Sequence, residues 1–172
     1  MNILVVDDEL VNRRILVRAL SRYGHCDTAR DGVSALELMQ DCLEQAHPYE
    51  LICLDIRMPK LDGQSTLKCV RELEKRFRVT PLERARVIMA TALDDPRNII
   101  TAYDELCDGY LVKPIAEESL EDLLRELFPD LRPRADSQHP PQRSVPSGNA
   151  SLVDAEPESE QRPRGVPLGK AF

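Results

Sequence analysis

Short runs of consecutive apolar residues alternate along this chain with longer stretches in which apolar residues recur at helical spacing. The compact runs are Ile3-Leu4-Val5-Val6, Leu51-Ile52-Cys53-Leu54, Val87-Ile88-Met89-Ala90 and Tyr110-Leu111-Val112; a weaker segment over 26–29 makes five strand candidates. Between the first two, Leu10, Val11, Ile15, Leu16, Ala19, Leu20 and Tyr23 predict a helix that Gly24 stops. Ala35, Leu36, Met39 and Leu43 mark a second helix over 32–46, and spacing predicts a third over 66–77 and a short fourth over 96–106. Leu120, Leu123, Leu124 and Leu127 form the stripe of a fifth. Strands apolar on consecutive residues are buried on both faces. Five of them alternating with five helices predict an α/β fold, a doubly wound five-stranded parallel sheet.

The pattern stops near residue 129. From there to the end, 44 residues hold eight of the thirteen prolines, show no apolar periodicity, and carry six basic and six acidic side chains. Such a segment buries too little apolar surface to offset chain entropy, so 129–172 is expected to be a Pro-rich disordered tail and 1–128 the folded domain. The net charge of −7 then lies within 1–128, as 17 basic against 24 acidic residues. That field repels nucleic acid and acidic membranes. No apolar run approaches the ~18 residues of a membrane span, and acids follow the first run too soon for a secretory signal. Cys26, Cys42, Cys53, Cys69 and Cys107 are odd in number and contain no CxxC pair, which argues against a disulfide framework or a zinc site. A cytoplasmic, reduced location is expected.

In an open parallel sheet, functional groups gather beyond the carboxyl ends of the strands. The residues there are Asp7 and Asp8, Asp55, Thr91 and Lys113. Any one of them alone is ordinary, since acids cap helices and lone threonines and lysines cover surfaces. Three carboxylates, a hydroxyl and an ammonium at matching ends of four strands are not. Clustered carboxylates raise one another's pKa, and a hard divalent cation relieves this. Mg²⁺ is held by one or two carboxylates together with phosphate oxygens and water. A carboxylate so placed can attack phosphorus to give an aspartyl phosphate. Catalysis of phosphoryl transfer is largely positioning and charge neutralisation, for which Mg²⁺, Lys113 and Thr91 are suited.

Val5-Val6-Asp7-Asp8-Glu9, the run Asp55-Ile56-Arg57-Met58-Pro59-Lys60-Leu61-Asp62-Gly63, Thr91-Ala92 and Lys113-Pro114 stand in an order that resembles the receiver domain of two-component response regulators. The resemblance spans residues 2–128 and implies the chemotaxis-regulator-like (α/β)5, flavodoxin-like fold. It implies Asp55 as phosphoacceptor, Asp7 and Asp8 as the Mg²⁺ acids with the Arg57 backbone carbonyl beside them, and Thr91 as switch hydroxyl. Lys113 becomes the phosphate-binding lysine, with a cis bond to Pro114, and Tyr110 the switch aromatic. The partner it implies is a histidine kinase, or a histidine phosphotransfer protein, whose phosphohistidine donates to Asp55. The signal would leave through the face of the fourth helix, fifth strand and fifth helix, where Ile99, Tyr103, Tyr110, Glu117 and Glu121 are candidate partner contacts.

Two positions set this chain apart. The family tunes phosphoryl lifetime two residues after the acceptor and two after the switch hydroxyl, here Arg57 and Leu93. Leucine cannot orient a hydrolytic water and arginine can shield the phosphoryl group, so slow self-dephosphorylation is expected. The stretch before strand five has Cys107-Asp108-Gly109 where Gly-Ala-Asp is usual, predicting a local loop difference. Rival chemistry fares poorly. A haloacid-dehalogenase-type phosphatase needs an acid where Arg57 stands, no glycine-rich phosphate loop occurs, and His25, His47 and His139 lack ligand spacing and read as surface residues. Cys53 reads as a buried apolar residue of the third strand. No helix-turn-helix pattern follows residue 128, so nucleic acid is not an expected partner. The expected function is that of a stand-alone receiver acting as a signalling switch rather than an enzyme. The alternative is a relay intermediate that hands its phosphate to a histidine phosphotransfer protein.

Overall fold

The apolar runs become strands because contiguous branched and aliphatic side chains fill both faces of a sheet. The computed structural model describes residues 1–92 and 107–134. In chain order these form β1 (Asn2–Val6), α1 (Leu10–Leu20), β2 (His25–Ala29), α2 (Gly32–Glu44), β3 (Leu51–Asp55), α3 (Gly63–Arg76), β4 (Arg86–Ala92), β5 (Gly109–Lys113) and α4 (Glu117–Leu127), the last of the predicted helices. The predicted helix over 96–106, with Leu93, Ile99 and Tyr103, lies outside the described residues, as does His139.

All pairings are parallel and the sheet order is β2-β1-β3-β4-β5. The order reverses at β1 and β3, so helices pack on both faces. One core joins Leu38, Met39 and Cys42 of α2 and Leu67 and Val70 of α3 to Leu4, Val6, Ile52, Leu54, Val87 and Met89. The other joins Leu16, Val17 and Leu20 of α1 and Leu120 and Leu124 of α4 to Ile3, Val5, Leu51, Cys53, Ile88 and Leu111. Alternate residues of each strand thus serve opposite layers, as the period of two requires. Cys53 is buried as expected, and burial pushes its thiol up to about 12, so it packs as an inert apolar group.

Four details depart from the sequence pattern. In α1, Leu10, Val11 and Ile15 are 52%, 67% and 50% exposed; the buried stripe is Leu16, Val17 and Leu20 alone. Leu10, Val11 and Ile15 lie on the face of α1 turned away from the sheet, so those side chains meet solvent. α3 starts at Gly63 rather than 66, because Asp62 caps it by accepting from Ser65 N at 2.7 Å, ahead of the first apolar residue. His25 is half-buried rather than a surface residue, since its Nε2 lies 3.0 Å from Asp27, a buried acid that also accepts from the Tyr49 hydroxyl at 2.8 Å. Residues 129–134 pack back onto the domain, with Leu131 against the second core and Arg134 N donating to Arg22 O just past the end of α1, while the rest of the predicted tail lies outside the described residues. His47 is exposed, as predicted. The Lys113–Pro114 bond is cis. Among the described residues no helix is long and apolar enough to cross a membrane.

Candidate functional site

The carboxyl ends of β1, β3, β4 and β5 are adjacent in the sheet, and this alone assembles the site. Register sets Asp55 against Ala90 and Ala92 against Lys113, so side chains from three neighbouring strands end at one level. Asp7 leaves β1 beside β2, its amide donating to Ala29 O at 3.2 Å. Asp7 is fully buried, Asp55 is 4% exposed, and Asp8 is exposed at the rim. One carboxylate oxygen from each of Asp7, Asp8 and Asp55 lies within 4.8 Å of the others, the sole such group of three acid, histidine or cysteine ligands among the described residues. Lys113 Nζ bridges two of them, 2.7 Å from Asp55 Oδ2 and 2.8 Å from Asp7 Oδ2.

The charge balance of this buried cluster is negative. Burial pushes the Asp55 carboxyl up from its ordinary value and Asp7 adds to the effect; Lys113 pulls the other way without cancelling it. Burial works to lower Lys113, but its bonds to Asp55 and Asp7 hold it above the ordinary lysine value. Both directions say that the pocket welcomes more positive charge. Asp7 Oδ2, buried and close to Lys113, accepts no well-angled hydrogen bond. The residues therefore fit a hard cation with oxygen ligands, of which Mg²⁺ is the type that keeps water and accepts phosphate oxygens.

The remaining predicted residues fall as follows. Arg57 is exposed at the rim, its amide 3.4 Å from Asp55 Oδ1. Thr91 is buried, still within β4, with its hydroxyl donating to Ala92 O at 3.2 Å. Tyr110 is half-buried against the α2–α3 core. Glu117 and Glu121 turn toward the segment just after α1, where Arg22 pairs with both, at 3.2 Å from Glu117.

Several supporting side chains went unpredicted. Arg13 Nη1 donates to Asp7 O at 2.6 Å and to Asp8 O at 3.2 Å, fixing the backbone of the acidic turn from one helical turn away. Glu9 N donates to Asp7 Oδ1 at 2.9 Å. Asp31, 2% exposed, caps α2 and accepts from Lys60 Nζ at 2.6 Å. Burial opposes ionisation of Asp31, yet Lys60 and the Ser34 amide hold its carboxyl below the ordinary value. Arg13 carried a sequence signal, as a cation one turn into the helix after an acidic pair, whereas nothing in the sequence joins Lys60 to Asp31.

A doubly wound parallel sheet with an acid cluster at its carboxyl edge and a lysine reaching in from the last strand defines a flavodoxin-like class of fold. The profile of the response regulator receiver domain matches residues 3–125. The chain belongs to that family: it is a receiver domain of a two-component response regulator, a kind of signalling domain. It is 43% identical over 127 residues to a probable transcriptional regulator, ycf27, of Cyanophora paradoxa, covering 73% of this chain and 47% of that protein. It is 35% identical over 130 residues to a chemotaxis protein CheY homolog of Campylobacter jejuni, covering 72% of this chain and 92% of that one. The chain thus spans about half the length of the ycf27 regulator. The receiver domain of the Arabidopsis thaliana histidine kinase CKI1, solved with Mg²⁺ and BeF₃⁻, superposes with a TM-score of 0.64 at 25% identity, over 75% of this chain and 90% of that one.

Proposed function

We propose that this domain accepts a phosphoryl group on Asp55 from the phosphohistidine of a histidine kinase and signals through the resulting change of its surface. The observation that carries this reading is the buried pair Asp7 and Asp55 bridged by Lys113, a cluster left net negative and short of cationic ligands. Asp7, Asp8, Asp55 and the Arg57 carbonyl would hold Mg²⁺. Bound there, the ion supplies neutralisation and alignment of phosphoryl oxygens.

The chain's own residues do the rest. An Asp55 carboxylate oxygen attacks phosphorus, the P–N bond of the donor breaks, and its electron pair returns to the imidazole, which takes up a proton. Lys113, released from sharing Asp55, pairs with the new phosphoryl oxygens. Thr91, one residue past the strand partner of Asp55, is placed to donate its hydroxyl to another. Withdrawal of Thr91 toward the acids changes the packing beside Tyr110, on the neighbouring strand, and so the face of β5 and α4. Glu117 and Glu121 contribute to that face only if their pairing with Arg22 opens. The resemblance to a CheY homolog and to a receiver crystallised with Mg²⁺ and BeF₃⁻ supports this chemistry.

The test is incubation of the full chain with a small acyl or amido phosphodonor and Mg²⁺, read by phosphate-affinity gel and intact mass. Labelling should appear on wild type, vanish with a chelator, and be absent from Asp55→Asn. Equal labelling of Asp55→Asn would overturn the assignment. Once labelled, the domain should lose its phosphate slowly with Arg57 and Leu93 in place; a lifetime of seconds would refute that expectation. Passage of labelled phosphate to a histidine phosphotransfer protein would mark a relay intermediate.

A further inference from the structure

The loop that follows Asp55 leaves β3, turns, and comes back. Ile56 N donates to Ala90 O at 3.0 Å at its start, and Gly63 N donates to Ile56 O at 2.9 Å at its end. At the turn stands Lys60, in the left-handed region with φ of 67°, followed by a Leu61 N to Pro59 O bond of 2.9 Å. From there the lysine ammonium crosses to a different element. Its Nζ lies 2.6 Å from Asp31 Oδ2, the carboxylate that caps α2. Asp31 is 2% exposed, whereas the Lys60 side chain is 56% exposed. A cation free to remain in water is instead committed to a buried acid whose other partners are Ser34 N at 2.8 Å and Arg30 Nε at 3.9 Å.

The two turns are also interlocked sterically. A Cβ on Gly32, next to Asp31, would meet Thr66 Oγ1 at 2.0 Å and Leu61 O at 2.8 Å. Thr66 in turn donates to Asp62 O at 2.7 Å. The β2–α2 turn therefore serves as an abutment for the β3–α3 loop, with the Lys60–Asp31 pair as its polar fastening.

We infer that Lys60 is a positioning residue: through Asp31 it holds the loop that presents the Arg57 backbone to the acid cluster. The inference rests on the proposed reading of Asp7, Asp8 and Asp55 as the Mg²⁺ site. Three of the four groups in that reading are side chains on or beside strands. The fourth is a loop carbonyl, and a loop carbonyl is only as well placed as the anchors of its loop. Met58 packs partly against the α2–α3 core on one side of the turn, and Lys60 fastens the other. Without the lysine, the loop samples arrangements in which the Arg57 carbonyl faces elsewhere, and cation binding must then order it, at the expense of affinity.

The experiment is calorimetric titration of the full chain with Mg²⁺ alone, on wild type, Lys60→Met, Lys60→Arg, Asp31→Asn and the Lys60→Met/Asp31→Asn double variant. Asparagine keeps the helix-capping acceptor and removes the charge. Lys60→Met and Asp31→Asn should each bind Mg²⁺ about tenfold more weakly, the scale of losing a group that orients a metal ligand. The double variant should be no weaker than either single one, and Lys60→Arg should stay near wild type. Metal-free urea denaturation of the same proteins separates a loss of fold, which a merely structural pair would also give, from a loss of cation affinity. Wild-type affinity in Lys60→Met would overturn the positioning role while leaving the metal site standing. Absence of Mg²⁺ binding by wild type itself would remove the site reading, and this inference with it.

Discussion

Gly63→Ala should lower the stability of this domain by about 3 kcal/mol, at the upper end of what overpacking costs, and should slow Asp55 labelling at temperatures where the variant remains folded. On propensity alone the substitution ought to help, since alanine exceeds glycine by about 1 kcal/mol in a helix interior and Gly63 opens α3. Space decides otherwise. A Cβ there would sit 2.1 Å from Asp55 O and 2.9 Å from both Asp55 C and Ile56 Cα. These are backbone atoms at the end of β3, which carries Asp55, so no side-chain rotation relieves the contact. Either α3 moves outward, opening the core around Leu67 and Val70, or the end of β3 moves, carrying Asp55 away from its 2.7 Å contact with Lys113. Urea denaturation and labelling by a small phosphodonor measure the two consequences. Gln64→Ala, one position further on and half-exposed, should leave both unchanged. An unaltered midpoint for Gly63→Ala would show that the helix start has slack the geometry denies.

This close approach explains why the Asp-Gly pair at 62–63 is so informative in the sequence: Asp62 caps the helix and Gly63 lets it touch the strand. The strands were equally legible, because burial on both faces writes itself as consecutive apolar residues. Asp7, Asp55 and Lys113 followed from them, since the end of a strand is a place in space as well as in sequence. Contacts between elements far apart in the chain left no such trace. Lys60 reads as a turn residue and Asp31 as a helix cap; that they meet depends on the side-by-side packing of α2 and α3. In α1 the apolar spacing covered two faces, and only the fold decides that Leu16, Val17 and Leu20 turn inward while Val11 and Ile15 do not. Asp27 weakened the second strand as read from composition, yet it is buried because Tyr49 and His25 satisfy it.

The same blindness hides a buried ion cluster outside the site. Arg71 and Glu74 look like the solvated face of α3, but both side chains are nearly inaccessible, at 7% and 5% exposure. Arg71 Nη1 donates to Glu74 Oε2 and to Ala85 O, each at 2.9 Å, and Glu74 Oε1 accepts from Ala85 N at 2.8 Å. Asp108, itself 5% exposed, completes the network from the entry to β5. Its Oδ2 lies 3.2 Å from Arg71 Nη2 and accepts from Val87 N at 2.9 Å, while Oδ1 lies 2.8 Å from Arg86 Nη1. Asp108→Ala should cost about 3–5 kcal/mol, the usual penalty for removing one member of a buried charge network. Arg86 and Arg84 are 41% and 33% exposed and can rehydrate, so the loss falls mainly on Arg71 and the Val87 amide. Asp108→Asn, which still accepts from Val87 N, should lose less, and the difference isolates the charge. In the Arg71→Met background Asp108→Ala should cost markedly less than alone, because the two side chains act as one unit. The network fastens the start of β5, opposite the end that carries Lys113, and the ladder to β4 continues through Ala92 and Lys113. Phosphodonor labelling of Asp108→Ala should therefore match wild type below its lowered melting temperature. Equal urea midpoints for the variant and wild type would mean that these arginines hold the strand without their carboxylate.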